Sequence, residues 1–142
     1  MSILVTELET LTIVSPFGDR VRNGAHEFHP GIDVRVVDTA YNLKKITAPA
    51  PMKILEIIYS AQWGHCIKAV PSAGTDLNID QFVFWHTVPL IKEGDDVDKG
   101  AIIGIPEHGY VPEHLHFETH VNGQPIDPCK YLDSVGQAYI KL

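Results

Sequence analysis

The run His114-Leu115-His116-Phe117-Glu118-Thr119-His120-Val121 places a titratable side chain at every second position. Side chains of a β-strand point alternately to opposite faces, so Leu115, Phe117, Thr119 and Val121 form one largely apolar face. His114, His116, Glu118 and His120 form the other. Imidazole is a borderline ligand for divalent metals and titrates nearest neutrality of all the side chains. Two of them at i and i+2 reach one small polar centre, one as a metal ligand and the other as a neighbour that binds no metal. For the pair alone, surface histidines on an edge strand are the competing reading.

A second motif, His29-Pro30-Gly31-Ile32-Asp33, sets a histidine and a carboxylate four residues apart. Pro-Gly inside the interval disfavours a helical turn, so the spacing reads as a tight turn that feeds a strand over residues 32–37. In that strand Ile32, Val34 and Val36 face the core, while Asp33 and Arg35 face away. Two histidines and one aspartate make a three-ligand set with one coordination position open, the pattern of catalytic zinc. A further histidine closes Gln81-Phe82-Val83-Phe84-Trp85-His86, where Phe82, Phe84 and His86 are expected to share one face. An isolated strand-end histidine is usually structural. Beside the other two motifs, His86 becomes a candidate to carry a proton or to stabilise an oxyanion.

The elements that must hold these residues follow a period of two. Residues 11–14, 32–37, 53–59, 66–70, 81–85, 101–105 and 114–121 read as strands rich in β-branched and aromatic side chains. Turn signals separate them: Ser15-Pro16-Phe17-Gly18, His29-Pro30-Gly31, Ala48-Pro49-Ala50-Pro51, Pro71-Ser72-Ala73-Gly74, Glu93-Gly94-Asp95 and Asn122-Gly123. One short helix is expected over residues 128–135. Many short strands punctuated by Gly and Pro predict an all-β sandwich or barrel. The acidic stretch 93–100 fails as a calcium loop, because aligning Gly100 with the loop glycine puts Val97 and Lys99 where oxygen ligands belong.

The chain has 142 residues, 18 acidic and 11 basic, for a net charge of −7. That length is expected to form a single domain, spanning residues 1–142, with a core large enough to need no staples. At 44% hydrophobic and 20% charged residues, wholesale disorder is excluded. No apolar run approaches the ~20 residues that span a bilayer, so no membrane insertion is expected. An acidic chain without a basic stripe makes nucleic acid an unsuited partner. Cys66 and Cys129 show no Cys-x-x-Cys spacing and read as two buried or half-buried free thiols.

These motifs also occur in a familiar order. Ser15-Pro16-Phe17-Gly18-Asp19-Arg20-Val21 followed by His29-Pro30-Gly31-Ile32-Asp33 resembles the opening of the lysostaphin/LytM-type peptidoglycan endopeptidases. Glu93-Gly94 through Lys99-Gly100-Ala101-Ile102-Ile103-Gly104 is similar to their glycine-bounded hairpin. His114-Leu115-His116-Phe117-Glu118, then Val121-Asn122-Gly123-Gln124-Pro125-Ile126-Asp127-Pro128 and Tyr131-Leu132, is similar to their close. The resemblance covers roughly residues 12–133. It implies an antiparallel β-sandwich, or barrel-sandwich hybrid with a duplicated motif, with a groove over one sheet. It implies one zinc ion held by His29, Asp33 and His116, with His114 and His86 as catalytic histidines that bind no metal. The implied reaction is hydrolysis of a peptide bond in the stem or cross-bridge of bacterial peptidoglycan. In that scheme zinc activates water, His114 takes the proton, and zinc with His86 stabilises the oxyanion.

The chain departs from the family pattern in three places. Residues 105–113, Ile-Pro-Glu-His-Gly-Tyr-Val-Pro-Glu, replace a Gly/Ser/Thr-rich groove loop and predict a different substrate wall. Ala48-Pro49-Ala50-Pro51-Met52 lacks the usual Asp-Gly turn, and His65 follows Gly64 where the family often has Asn. His26, His65, His108 and His120 are read as surface residues or as partners of the ligands. Glu118 either orients an imidazole or is solvated. Arg35 is read as structural.

Two other functions compete. A lipoyl- or biotinyl-type carrier is suggested by Met52-Lys53 and the Gly94/Gly100 hairpin, but Lys53 opens an apolar run where a carrier lysine needs a hairpin tip, and the five chemical positions go unexplained. A binding, regulatory or structural domain of the same fold is the stronger rival. The start Met1-Ser2-Ile3-Leu4-Val5-Thr6-Glu7 has no basic n-region, so no signal peptide is expected. The expected setting is synthesis in the cytoplasm and action at the cell wall, as a phage virion component or on lysis.

Overall fold

The period-two pattern becomes strands along most of the chain. The computed structural model describes residues 5–7, 11–74, 78–110, 112–131 and 137–139. In chain order the strands are β1 (Leu11–Ser15), β2 (Gly18–Arg22), β3 (Ala25–His29), β4 (Ile32–Arg35), β5 (Ile46–Thr47), β6 (Met52–Ser60), β7 (Gly64–Pro71), β8 (Gln81–Trp85), β9 (Thr87–Pro89), β10 (Asp96–Val97), β11 (Ile102–Pro106), β12 (His114–Val121), β13 (Gln124–Ile126) and β14 (Gln137–Tyr139). The main sheet runs β10-β6-β7-β8-β12-β4-β1-β14, with β13 added to β12. Its pairings are antiparallel except β1 with β14, which is parallel. A three-stranded sheet, β5-β11-β9, and the β2–β3 hairpin complete the all-β architecture. No helix among the described residues is long and apolar enough to cross a membrane.

The core draws on both larger sheets. Ile32, Val34 and Val36 are fully buried, as are Leu115 and Phe117 on the expected face of β12. Phe82 and Phe84 from β8 pack their rings on Phe117 at 5.9 and 5.2 Å between centroids. Ile46 and Ile103 join them from the smaller sheet. Each such side chain contributes roughly 1.5–3 kcal/mol by leaving water. This packing fixes the inner face of β4, β8 and β12, and so turns Asp33, Trp85, His114, His116 and Glu118 outward together. Cys66 is buried and Cys129 is half-buried; burial pushes the Cys66 thiol up to about 12.

Several expectations are corrected. The β2–β3 hairpin occupies a stretch that carries almost no hydrophobic alternation, since most of its residues are exposed. The helix expected over 128–135 is a single 3-10 turn at Pro128–Lys130, capped by Asp127 accepting from the Cys129 N–H; residues 132–135 lie outside the described residues. His86 does not share the face of Phe82 and Phe84. Its φ of 61° lies in the left-handed region, so the strand alternation breaks there and the ring turns towards the histidines of β12. Lys53 lies inside β6 opposite Val70, not at a hairpin tip, and its ammonium faces Asp96 at 3.5 Å.

Candidate metal centre

Strand register does most of the assembly. His116 stands opposite Asp33 in the β12–β4 ladder, and opposite Trp85 in the β12–β8 ladder. His29 ends β3 and reaches the same spot because the Pro30-Gly31 turn lies directly on β12. A Cβ at Gly31 would strike the Phe117 carbonyl oxygen and sit 2.8 Å from Glu118 Cγ, so only a glycine lets the turn come this close.

Three atoms able to bind a metal converge there. Asp33 Oδ1 lies 2.9 Å from His116 Nδ1 and 3.3 Å from His29 Nε2, and the two nitrogens are 3.2 Å apart. Ligands bound at about 2.0–2.1 Å to a tetrahedral ion stand about 3.3 Å from one another, so this spacing fits zinc. Among the described residues it is the one cluster able to hold a metal.

Hydrogen bonding fixes which nitrogen each ring offers. His29 Nδ1–H donates to the Pro16 carbonyl at 2.8 Å, which leaves Nε2 with its lone pair in the cluster. His116 Nε2–H donates to Glu118 Oε2 at 2.8 Å, which leaves Nδ1. Two lone pairs and a carboxylate therefore face one point, a donor set that asks for a cation. A proton competes with a metal for this point. Burial opposes ionisation of Asp33, yet its contacts with His116 and His29 hold the carboxyl well below the usual range. Burial likewise opposes a charged His116, but hydrogen bonds to Asp33 and Glu118 raise it to about 9, so a bound cation would have to displace the Nδ1 proton that faces Asp33.

Glu118 is the carboxylate behind His116. Burial disfavours its charge, and the bonds from His116 and His120 outweigh that and hold its pKa below the usual range. His120 Nε2–H donates to Oε1 at 2.7 Å, so one buried carboxylate ties two imidazoles of its own strand. Replacing Glu118 with Gln removes that charge and is expected to weaken zinc binding by about 10–100-fold, read by competition with a chromophoric chelator. Unchanged affinity would make Glu118 a packing residue.

His114 and His86 flank the triad. His114 Nδ1–H donates to the Pro112 carbonyl at 2.9 Å, and its Nε2 lies 3.8 Å from Asp33 Oδ1. His86 Nδ1–H donates to the Trp63 carbonyl at 2.8 Å. The two rings meet edge to face at 4.8 Å. Burial pushes His86 down to about 4, so at neutral pH its free Nε2 accepts hydrogen bonds.

All five residues singled out in the sequence thus come together. Around them lies a groove of about 1260 Å³, bordered by Arg20 and Phe28 of the β2–β3 hairpin and by Trp63, Trp85 and Tyr110. Sequence reasoning gave no role to Arg20, whose Nη1 lies 3.7 Å from Asp33 Oδ2 and donates to Ser15 Oγ at 2.7 Å. Nor did it place Tyr110, whose ring stacks on His86 at 4.1 Å. The Arg20 position is marked by its motif; nothing local marks Tyr110, because loop and ring meet only through the fold. His65 pairs with Glu107, His108 is exposed beside Glu113, and His26 is exposed. Arg35 donates to the Val37 carbonyl, a structural role.

An open antiparallel β fold with a His-Asp-His cluster in a groove, flanked by two more histidines, has the form of a metallopeptidase. The chain belongs to peptidase family M23, whose model matches residues 27–128. Among solved structures it is similar to the antimicrobial peptidase lysostaphin from Staphylococcus simulans, at 25% identity and a TM-score of 0.69 over 95% of this chain and 54% of that one. It therefore spans about half the length of lysostaphin. It shares the fold of a zinc-containing peptidase from Vibrio cholerae, with 18% identity and a TM-score of 0.71 over 90% of this chain and 39% of that one. It also shares the fold found in the SpoIIQ-SpoIIIAH pore-forming complex, with 15% identity and a TM-score of 0.71 over 93% and 90%. No curated protein matches the chain.

Proposed function

We propose that this protein is a zinc-dependent endopeptidase that hydrolyses peptide bonds in the stem peptides or cross-bridges of bacterial peptidoglycan. The observation that carries the reading is the convergence of His29 Nε2, Asp33 Oδ1 and His116 Nδ1 within 3.3 Å at the floor of an open groove. Membership of a peptidase family and the similarity to lysostaphin support it. His29, Asp33 and His116 would hold a zinc ion, which would supply Lewis-acid chemistry at the groove.

The chain's own groups then have defined tasks. His114, tied at Nδ1 to Pro112, presents Nε2 to the groove; it accepts the proton of the attacking water and later gives it to the leaving amine. His86, tied at Nδ1 to Trp63, presents a second Nε2. In its neutral form that atom accepts, so His86 orients a water or an amide N–H; donating to an oxyanion requires it first to gain a proton. Glu118 holds His116 in the ligating tautomer. The groove walls seat an extended peptide.

The test is mass spectrometry of fragments released from purified peptidoglycan of both direct and bridged cross-link types, with and without a zinc chelator. New peptide termini that vanish with chelator are expected, and their masses name the bond. If the zinc-loaded protein releases nothing from either wall, the hydrolase reading fails. A binding role, of the kind that the fold's presence in a pore-forming complex illustrates, then takes its place.

A further inference from the structure

His86 occupies an unfavourable backbone conformation for a residue with a side chain. At φ 61° it sits in the left-handed region, which is strained for a side-chain-bearing residue and persists only where surroundings enforce it. Two groups orient its ring. The Trp63 carbonyl accepts from Nδ1–H at 2.8 Å, and the Tyr110 ring stacks on it at 4.1 Å with 24° between planes. Trp63 lies in the turn between β6 and β7, and Tyr110 lies in the loop that follows β11. The ladders end beside His86, at Trp85 with Cys66 and at Thr87 with Pro106, and both segments lie just beyond those pairs.

Glu107 joins all three. Its backbone N–H donates to the His86 carbonyl at 2.7 Å. Its side-chain Oε1 accepts from the His65 backbone N–H at 2.6 Å and from His65 Nδ1–H at 2.8 Å. Tyr110 Oη donates to the Gln62 carbonyl at 3.3 Å, a second stitch between the same loop and turn. Gly64 makes this approach possible. A Cβ there would strike Glu107 Oε1 and sit 3.0 Å from Tyr110 Oη, and its φ of 80° suits glycine.

We infer that Glu107, seated against Gly64 and His65, is a positioning residue for His86: it locks the β6–β7 turn to the loop after β11, so that the Trp63 carbonyl holds Nδ1–H and Nε2 is aimed into the groove. The catalytic consequence rests on the reading of His86 as part of the active site; the structural one does not. The closed path runs from the His86 carbonyl through Glu107 to His65, back along Gly64 to Trp63, and through its carbonyl to the His86 ring. A charged carboxylate suits the task because it accepts two N–H groups at once and binds them more strongly than a neutral oxygen. The residues that replace the family's small-residue loop here thus form a brace under one histidine.

The test uses the full-length protein with zinc added, labelled with nitrogen-15 histidine, and reads the ring tautomers by long-range proton–nitrogen correlation. In the wild type His86 is expected as the Nδ1–H tautomer. In Glu107→Ala its signal moves to an exchanging mixture rich in the Nε2–H form, with zinc stoichiometry unchanged. Turnover on a peptide the wild type cleaves is expected to fall by about 10²-fold in kcat, with little change in KM, because the group is misaimed while substrate still binds. Glu107→Gln keeps the size and one acceptor and restores part of the signal and the rate. Should Glu107→Ala not fold, Gly64→Ala pushes the carboxylate away from the turn and carries the same expectation. A folded Glu107→Ala or Gly64→Ala variant with an unchanged His86 tautomer overturns the inference. If the wild type cleaves no peptide, the tautomer still decides, so this failure and that of the proposed activity remain distinct.

Discussion

His116→Ala is expected to lose bound zinc and to lower peptide hydrolysis by at least about 10³-fold, since the metal's contribution amounts to several kcal/mol of barrier. The expected size of the effect follows from where His116 stands. Its Nδ1 lies within 2.9–3.2 Å of both other atoms of the cluster, closer than His114 Nε2, which stands 3.8 Å from Asp33 Oδ1. The variant is also expected to fold. Removing the imidazole takes one hydrogen bond from Glu118, but His120 still donates to the other oxygen at 2.7 Å, so the buried carboxylate keeps a partner. Loss of metal can therefore be separated from loss of structure. The check is metal analysis of the purified variant beside its thermal unfolding with and without chelator. Chelation should lower the midpoint of the wild type, because the His-Asp-His cluster is assembled only by the fold, and leave that of His116→Ala unmoved. A variant that keeps a full equivalent of zinc would refute the assignment of His116 as a ligand.

His114→Ala should do the reverse. It is expected to keep zinc and to lose about 10²–10⁴-fold in kcat, the range of a positioned general base. Orientation is the reason for the size of this effect. The Pro112 carbonyl fixes the proton on Nδ1, so Nε2 is the basic atom, and it lies 3.8 Å from Asp33 Oδ1, at the edge of the triad. Steady-state kinetics on a defined peptide, with metal content measured in the same preparation, decide the matter. A fall of less than tenfold would pass the proton-transfer task to His86, whose Nε2 faces the same space. Loss of zinc instead would show that His114 is a fourth ligand.

Much of this centre was legible before the fold. Alternation along β12 separated Leu115 and Phe117 from His114, His116 and Glu118, because a strand with one buried face has no freedom to slip by a residue. The same logic placed Asp33 against Ile32 and Val34. What alternation cannot give is which strand lies beside which, so the opposition of His116 and Asp33 emerged only from the β12–β4 ladder. It also misplaces His86, since one left-handed residue reverses the direction of the ring. The β2–β3 hairpin, which carries Arg20 and ends in His29, escaped notice because its exposed residues leave no hydrophobic period. Glu107 was marked as an oddity of the groove loop, but its partner His65 is 42 residues away, and no local signal joins them.

Three of the histidines in the groove are oriented by main-chain oxygens: His29 by Pro16, His86 by Trp63 and His114 by Pro112. A peptide carbonyl is present whatever the side chain beside it. Trp63 and Pro112 also line the groove, so the residues that would meet a substrate at those places can be exchanged while the oxygens that set the tautomers stay. What the groove admits and how its histidines are set are in this respect independently variable, which makes position 63 a natural starting point for changing what the groove accepts.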